Sequence, residues 1–367
     1  MFNIKKQIQV LYISSVLGNL SLTGAWVAIL AARGYSLVEI GFAETIFHIT
    51  SLLFEIPSGV LADLFGRKKM LLVSSIMRMI GNIVMIVSCN FLMVCISLVF
   101  YAMSYNASSG SGDALAYDSL KLDANERYYE TYASNQLVIY RLCSGISTLC
   151  AGFALFIGYQ LAYATDIFVG VFQIGILMSL YEVCVAQKQD SKKSVVETIR
   201  TEFINCFISS LSFLKHERKA ICLMFANSFV GAVDILLLFF LQAKLLEAGM
   251  PNWALGFALF FMELGGILGA KLILKCKRLK YRSVFVAAAL LVLLGVIVEH
   301  SGVCIIMTLG GFIAAFSDDA LQVRTNTILQ HMFPSEQRAT LISMESFTFS
   351  VLMIVMSPLA GMLFSVW

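Results

Sequence analysis

The feature that most constrains the fold of this chain is a series of apolar runs, each long enough to cross a bilayer core. A membrane-spanning helix needs about 20 apolar residues, and lipid cannot satisfy open backbone groups, so such runs form helices. Hydrophobic residues make up 59% of the 367 residues and charged residues only 13%, whereas a soluble domain carries about 25% charged residues. The sequence therefore predicts an all-α polytopic membrane protein.

About eleven spans are predicted. They lie at about 8–32, 37–63, 70–88, 92–118, 131–157, 161–186, 219–245, 252–274, 283–299, 303–330 and 338–363. If the N-terminus is cytoplasmic, most of the lysine and arginine residues in the loops fall on the cytoplasmic side, as the positive-inside rule requires. We expect a multi-pass monomer in the lipid bilayer of the cell (plasma) membrane. The net charge of +3 gives no reason to expect a nucleic-acid partner.

The spans divide into two related halves. The predicted halves are 1–186 and 219–367, joined by a cytoplasmic linker at 187–218 that contains an amphipathic helix. Asp113-Ala114-Leu115 recurs as Asp319-Ala320-Leu321, and the pair Gly34 and Gly41 recurs as Gly249 and Gly256. Such parallel repeats are a known plan of membrane carriers. The C-terminal half has five spans, so its last helix is expected to be missing.

A short motif lies between the second and third spans. Its residues are Gly59, Asp63, Gly66, Arg67 and Lys68. This spacing resembles the hallmark loop of the major facilitator superfamily, a family of secondary transporters. The resemblance implies two six-helix halves, alternating access and a conformational latch in which Arg67 meets Asp118, with Asp113 as second choice. The alternative is a basic loop that only sets the topology.

A second stretch of sequence resembles one subgroup of that family. Ser109–Leu120 resembles the end of the fourth helix in bacterial drug-exporter-like members of that family. The resemblance implies proton-coupled export of a small organic solute, driven by a proton gradient without a cofactor. Uptake by proton symport and a non-transporting scaffold or sensor remain alternatives. The sequence contains no paired His/Glu metal motif and no nucleophile–base pattern, so neither an enzyme nor a metal site is expected.

Ionisable residues inside apolar spans are the candidates for proton coupling, because a charge in the bilayer is costly and usually functional. These candidates are Glu44, His48 and Glu55 in the second span, Asp113 in the fourth, Arg141 in the fifth, Asp234 in the seventh, and Asp318 and Asp319 in the tenth. Glu44, His48 and Glu55 share one helix face by their spacing. The alternative for these residues is structural, as polar contacts between helices.

Single polar or amphipathic residues in the spans are candidates for a substrate cavity. In the family, the first, fourth, seventh and tenth helices line this cavity. The candidates on them are Asn19, Trp26, Asn106, Asn227 and Gln322. The nine cysteines are scattered through apolar runs, which is typical of packing residues rather than of metal ligands or disulfides.

Overall fold

The computed structural model describes residues 3–183, 197–201, 204–205, 218–276, 278–332 and 338–366. The regular structure in these ranges is helical, as predicted. Most of the predicted linker at 187–218 lies outside the described residues, and its amphipathic helix therefore stays a prediction. The helices of the N-terminal half are α1 (Ile4–Asn19), α2 (Trp26–Ala32), α3 (Leu37–Phe65), α4 (Arg67–Val87), α5 (Phe91–Ser108), α6 (Ser111–Leu122), α7 (Tyr129–Leu149), α8 (Ala151–Ile157) and α9 (Tyr159–Met178).

Five helices follow the linker. They are α10 (Arg218–Glu247), α11 (Asn252–Ile273), α12 (Tyr281–Glu299), α13 (Cys304–Met332) and α14 (Arg338–Val366). Within the described ranges, nine helical segments are long and apolar enough to cross a membrane, or ten if the bent pair α7 and α8 is one span. The predicted count of about eleven is not confirmed. The difference between the eleven predicted spans and the ten lies in the first predicted span, where the helix is interrupted.

The predicted first span is two helices because a carboxylate replaces helical hydrogen bonds between them. Asp166 on α9 accepts hydrogen bonds from the backbone N–H of Leu22 at 2.9 Å and from the hydroxyls of Ser21 at 2.7 Å and Thr23 at 2.6 Å. These contacts stabilise residues 20–25 outside the helical conformation. Ser, Thr and Asp side chains commonly compete with the helix in this way.

The fourth and fifth predicted spans are also interrupted. The fourth breaks between α5 and α6 at Gly110, whose φ of +69° is a left-handed conformation that glycine adopts without steric cost. The fifth bends by 47° between α7 and α8. Helices α5 and α6 together form one candidate span, Phe91–Leu122, and α6 carries Asp113 and Asp118.

The described chain forms two compact units. The first unit comprises residues 1–24, 49–147 and 158–207, and the second unit comprises 25–48, 148–157 and 208–367. Their boundaries cut through α3 and α7, so they differ from the predicted halves at 1–186 and 219–367. In the first unit, an apolar core joins α1, α6, α7 and α9 through Leu11, Leu115, Tyr132 and Leu177.

The second unit is held together by close helix contacts at glycines. On α11, side chains at Gly265 and Gly269 would meet the backbone carbonyls of Phe312 and Phe316 on α13. Glycine lets two helix backbones approach this closely. The core beneath α10, α13 and α14 includes Met224 and Met344. These contacts position α10 and α13, which carry the acidic residues described below.

Candidate functional site

The motif between the second and third spans is mostly helical. Asp63 lies in α3, Arg67 and Lys68 begin α4, and Gly66 alone separates the helices with a φ of +102°. Arg67 Nε lies 3.7 Å from Asp118 Oδ2 on α6, so the structure brings together the two residues predicted to form the latch. A Cβ at Gly59 would meet open space. The Asp63 side chain lies outside the described residues.

Glu182, which the sequence analysis did not single out, caps the N-terminus of α4. Its carboxylate accepts hydrogen bonds from the backbone N–H of Arg67 at 2.9 Å and of Lys68 at 3.0 Å. A negative charge is favourable at a helix N-terminus because the first amide groups lack helical partners. The nearby positive charges of the motif were the only sequence signal for an acidic partner.

The predicted polar face of α3 is divided between the two units. In the second unit, His48 Nε2 lies 3.3 Å from Glu44 Oε1, and both residues are buried. In the first unit, the Ser51 hydroxyl donates to Asn106 Oδ1 at 2.9 Å, and the Asn106 amide donates back to the Ser51 carbonyl. Asn106 thus joins α3 to α5 instead of facing a cavity.

The first unit contains a cavity of about 460 Å³. Cavities of about 300–1,000 Å³ are typical of small-molecule sites. Among the predicted site residues it is lined by Asn19 and Asp113; the remaining lining includes Ser, Gln and Tyr side chains together with Arg78. The cavity is lined by α1, α4, α5, α6, α7 and α9. Helices α4 and α9, the third and sixth predicted spans, therefore contribute to the cavity lining. The sequence did not predict their contribution.

Arg78 on α4 is the centre of a polar network beside this cavity. Its guanidinium donates to the Gly18 carbonyl and, at 2.7 Å, to Gln173 Oε1. Gln173 also donates to the Ser14 carbonyl at 3.0 Å. Asp166 lines a neighbouring cavity of about 140 Å³ together with Arg78. The sequence signal for this network is an arginine within an apolar run. The partners of Arg78 could not be read from the sequence, because they come from distant spans.

The second unit contains a set of carboxyl groups at its interior. Asp234 on α10 is 4% exposed and Asp318 on α13 is 8% exposed. Asp318 Oδ1 lies 3.4 Å from the position of a Cβ on Gly231, one helical turn before Asp234. The carboxylate of Asp319 lies against Gly266 on α11. The structure thus brings Asp234 and Asp318 together, as part of one acidic region.

Two polar atoms beside this region have no hydrogen-bond partner among the described residues. They are Asp234 Oδ1 and Asn227 Oδ1. Both side chains lie on α10, two turns apart and on one face. Buried polar atoms without partners are rare in folded proteins, so these two oxygens are candidates for binding a proton or a ligand.

The remaining predicted residues are distributed over both units. Trp26 packs edge-on against Phe239 within the second unit, at a ring-centroid distance of 5.7 Å. Gln322 on α13 is exposed. Glu55 on α3 and Arg141 on α7 belong to the first unit. No group of three or more His, Cys, Asp or Glu residues in the described ranges is arranged to hold a metal ion.

Comparison with known families decides the class of this protein. Residues 10–317 match the family model of the Major Facilitator Superfamily. The chain belongs to this superfamily. It is therefore a multi-pass membrane protein of a transporter family and not an enzyme, as the motif at Gly59–Lys68 indicated. The drug-exporter-like subtype stays a prediction.

Solved structures show the same fold. A nucleoside transporter, NupG, aligns with a TM-score of 0.74 at 14% identity, over 98% of this chain and 91% of that chain. A peptide transporter, POT, in complex with sulfate aligns with a TM-score of 0.72 at 13% identity, over 98% and 90%. A D-xylose-proton symporter aligns with a TM-score of 0.71 at 12% identity, again over 98% and 90%. Among curated proteins, no sequence matches.

Proposed function

We propose that this protein is a proton-coupled secondary transporter that moves a small organic solute across the cell membrane by alternating access. The observation that carries the proposal is the pair of buried carboxyl groups of Asp234 and Asp318 in the second unit. A single charged residue at the centre of a membrane helix costs about 3 kcal/mol. Two neighbouring carboxylates repel each other in addition.

Proton binding gives this pair a use in transport. Neither Asp234 nor Asp318 has an ion pair within the described part of the chain. A proton on either carboxyl removes one negative charge and with it the repulsion. The protonation state of the pair therefore changes the relative free energies of conformations that hydrate α10 and α13 to different extents, which is the requirement for coupling.

Export is the direction that we propose, on the resemblance of Ser109–Leu120 to drug-exporter-like members. Uptake by symport is the second candidate, because one protein of the same fold is a D-xylose-proton symporter. The two differ in the sign of proton movement: an exporter exchanges solute for protons, whereas a symporter carries both in one direction.

The proposal can be tested with the purified protein in proteoliposomes that enclose a pH-sensitive dye. We expect at least one solute from a panel of nucleosides, pentoses, dipeptides and aromatic amines to move protons. Asp234→Asn should abolish this proton movement while solute exchange without a pH gradient continues. The sign of the pH change relative to the solute gradient distinguishes export from uptake.

A matched control is Glu247→Gln, which also removes one carboxylate from α10 but at an exposed position paired with Lys244 at 3.1 Å. This variant should behave as the wild type. Proton movement that is unchanged in both Asp234→Asn and Asp318→Asn would remove this pair from the mechanism. A panel without any flux or exchange would favour the scaffold or sensor.

The Arg67–Asp118 contact supports a second, structural part of the proposal. We infer that this ion pair, with the Glu182 cap on α4, acts as the latch that the family resemblance implies. The pair joins α4 to α6 within the first unit. Both side chains are partly exposed, at 27% and 20%, so the contact is weak enough to break during a transport cycle.

A further inference from the structure

We propose that the cavity of the first unit is a binding site for an aromatic organic amine, held through the carboxylate of Asp113. This inference rests on the proposed function, since it names the substrate class of the carrier. It assigns Asp113 to ligand binding instead of the proton coupling considered for it above. The charge of the cavity lining, its aromatic rings and its size all favour such a ligand.

The charge balance of the lining favours a cation. Arg78 and Asp113 are the charged side chains that line the cavity. Arg78 donates to Gln173 and Gly18 within the protein, and Asp166 lies within electrostatic range of its guanidinium. The Arg78 guanidinium is therefore already hydrogen-bonded within the protein and has a carboxylate nearby.

Asp113 is in the opposite situation. It lies in the first turn of α6 and is exposed to the cavity. It has no hydrogen bond and no ion pair within the described residues. An ammonium group placed here would give this carboxylate a charge-assisted hydrogen bond, which is about twice as strong as a neutral one.

Four tyrosine rings belong to the cavity that Asp113 lines. Tyr101, Tyr105, Tyr132 and Tyr140 line the same cavity. Tyr132 stacks between Tyr12 and Tyr129, with centroid distances of 5.3 Å and 6.2 Å, so its orientation is set by packing. Tyrosine faces attract cations and stack on aromatic groups. Tyr105 and Tyr140 line the cavity and are 59% and 51% exposed, so a ligand in the cavity can contact them.

Hydroxyl and amide groups occupy the rest of the lining. Ser14, Ser74, Ser104 and Gln136 are examples. The Ser74 hydroxyl already donates to the Ser104 carbonyl at 2.8 Å, and the Gln136 amide donates to the Tyr132 hydroxyl at 2.5 Å. These bonds stabilise the wall and do not neutralise Asp113. The volume of about 460 Å³ is sufficient for a single aromatic ring with an amine tail.

The test is direct binding to the purified full-length protein in detergent, measured by calorimetry without any ion gradient. Three probes share one phenyl ring and differ in charge: 2-phenylethylamine, 2-phenylethanol and 3-phenylpropionate. We expect the amine to bind at least tenfold more tightly than the alcohol or the acid. In Asp113→Asn the amine should lose at least tenfold in affinity, while binding of the alcohol should not change.

Two further variants keep the test independent of folding. Asp113→Glu retains the charge and should keep amine affinity within about threefold of the wild type. Asp123→Asn removes a carboxylate outside the cavity, where Asp123 accepts from Asn125 at 2.6 Å, and should bind as the wild type does. Equal affinity for the acid and the amine, or unchanged amine affinity in Asp113→Asn, would overturn the proposal.

Binding and transport give separable outcomes. Amine binding that depends on Asp113, in a protein that moves no solute, would retain this site and reject the proposed function. Proton-coupled flux of a different solute, without amine binding, would retain the proposed function and reject this site.

Discussion

At the scale of single residues, the acidic side chains of this protein fall into two groups. Some have a clear structural use: Asp166 holds the break between α1 and α2, and Glu182 caps α4. Others, such as Asp113 and Asp234, lack such a partner within the described residues. A carboxylate in an apolar protein costs free energy, so the second group points to ligands or protons.

The cap at Glu182 gives a stability prediction. Glu182→Ala should lower the free energy of unfolding by about 1–2 kcal/mol, because two backbone N–H groups at the start of α4 lose their acceptor and the helix dipole loses a favourable charge. The measurement is thermal unfolding in detergent. Glu247→Ala, which removes an exposed acidic residue at the C-terminal end of α10, serves as the control. An equal effect of both substitutions would contradict the capping role.

At the scale of secondary-structure elements, small residues determine which helices of the second unit touch. Side chains at Gly41 on α3 and Gly361 on α14 would meet the opposite backbone, at the carbonyls of Ser357 and Leu37 respectively. Gly152 on α8 and Gly256 on α11 form an equivalent pair, facing Trp253 and Leu149. Gly41 and Gly256 are corresponding positions of the predicted repeat, so both contacts follow one internal symmetry.

These contacts predict a conformational effect. Gly41→Ala should disfavour the conformation in which α3 and α14 touch, because the added methyl group overlaps the Ser357 carbonyl; such overpacking costs about 1–3 kcal/mol. Since 1.4 kcal/mol is a factor of ten, a thiol introduced by Ser357→Cys, at a fully buried position, should react with maleimide about tenfold faster. Mass spectrometry resolves this thiol from the native cysteines.

Gly175→Ala is the matched control for this experiment. Gly175 also lies in a helix, but a Cβ there would meet open space. This substitution should leave the labelling rate of Cys at position 357 unchanged. If Gly41→Ala had the same rate as this control, the contact between α3 and α14 would not limit access to position 357.

At the scale of the whole molecule, the positive charges of the loops predict the orientation in the membrane. Arg67–Lys69 and the basic residues at 271–282 lie between spans on the side assigned to the cytoplasm, in keeping with the positive-inside rule. The linker at 187–218 is predicted to lie on the same side, whereas the turn at 249–251 is predicted to lie outside. This orientation determines which end of each cavity a solute reaches from the cell.

Reporter fusions can measure this orientation. Alkaline phosphatase fused after residue 250 or after Trp367 should be active, because both positions are expected outside. Green fluorescent protein fused after residue 190 should fluoresce, because that position is expected in the cytoplasm. With a cytoplasmic N-terminus, activity of both phosphatase fusions supports an odd number of spans. An inactive fusion after Trp367, with the other two as expected, would give an even number.

The sequence by itself determined the class of fold and its approximate elements. Length and hydropathy of the apolar runs predicted α3, α4 and α10–α14 within a few residues, since a span depends on local composition. The motif at Gly59–Lys68 predicted the family because such spacing is local, and the family resemblance in turn implied Asp118 as the partner of Arg67. The breaks in the first, fourth and fifth spans were not predicted.

What only the tertiary structure decided is which polar residues share an environment. Asp166 interrupts the first predicted span from about 145 residues away in the sequence. The Asn106 side chain is hydrogen-bonded to Ser51. Asp113 and Asp234, both predicted from the sequence as proton-coupling candidates in spans, lie in different units. The physical reason is that hydrophobic patterning specifies that a helix forms, whereas hydrogen bonding and charge compensation depend on the neighbours that packing supplies.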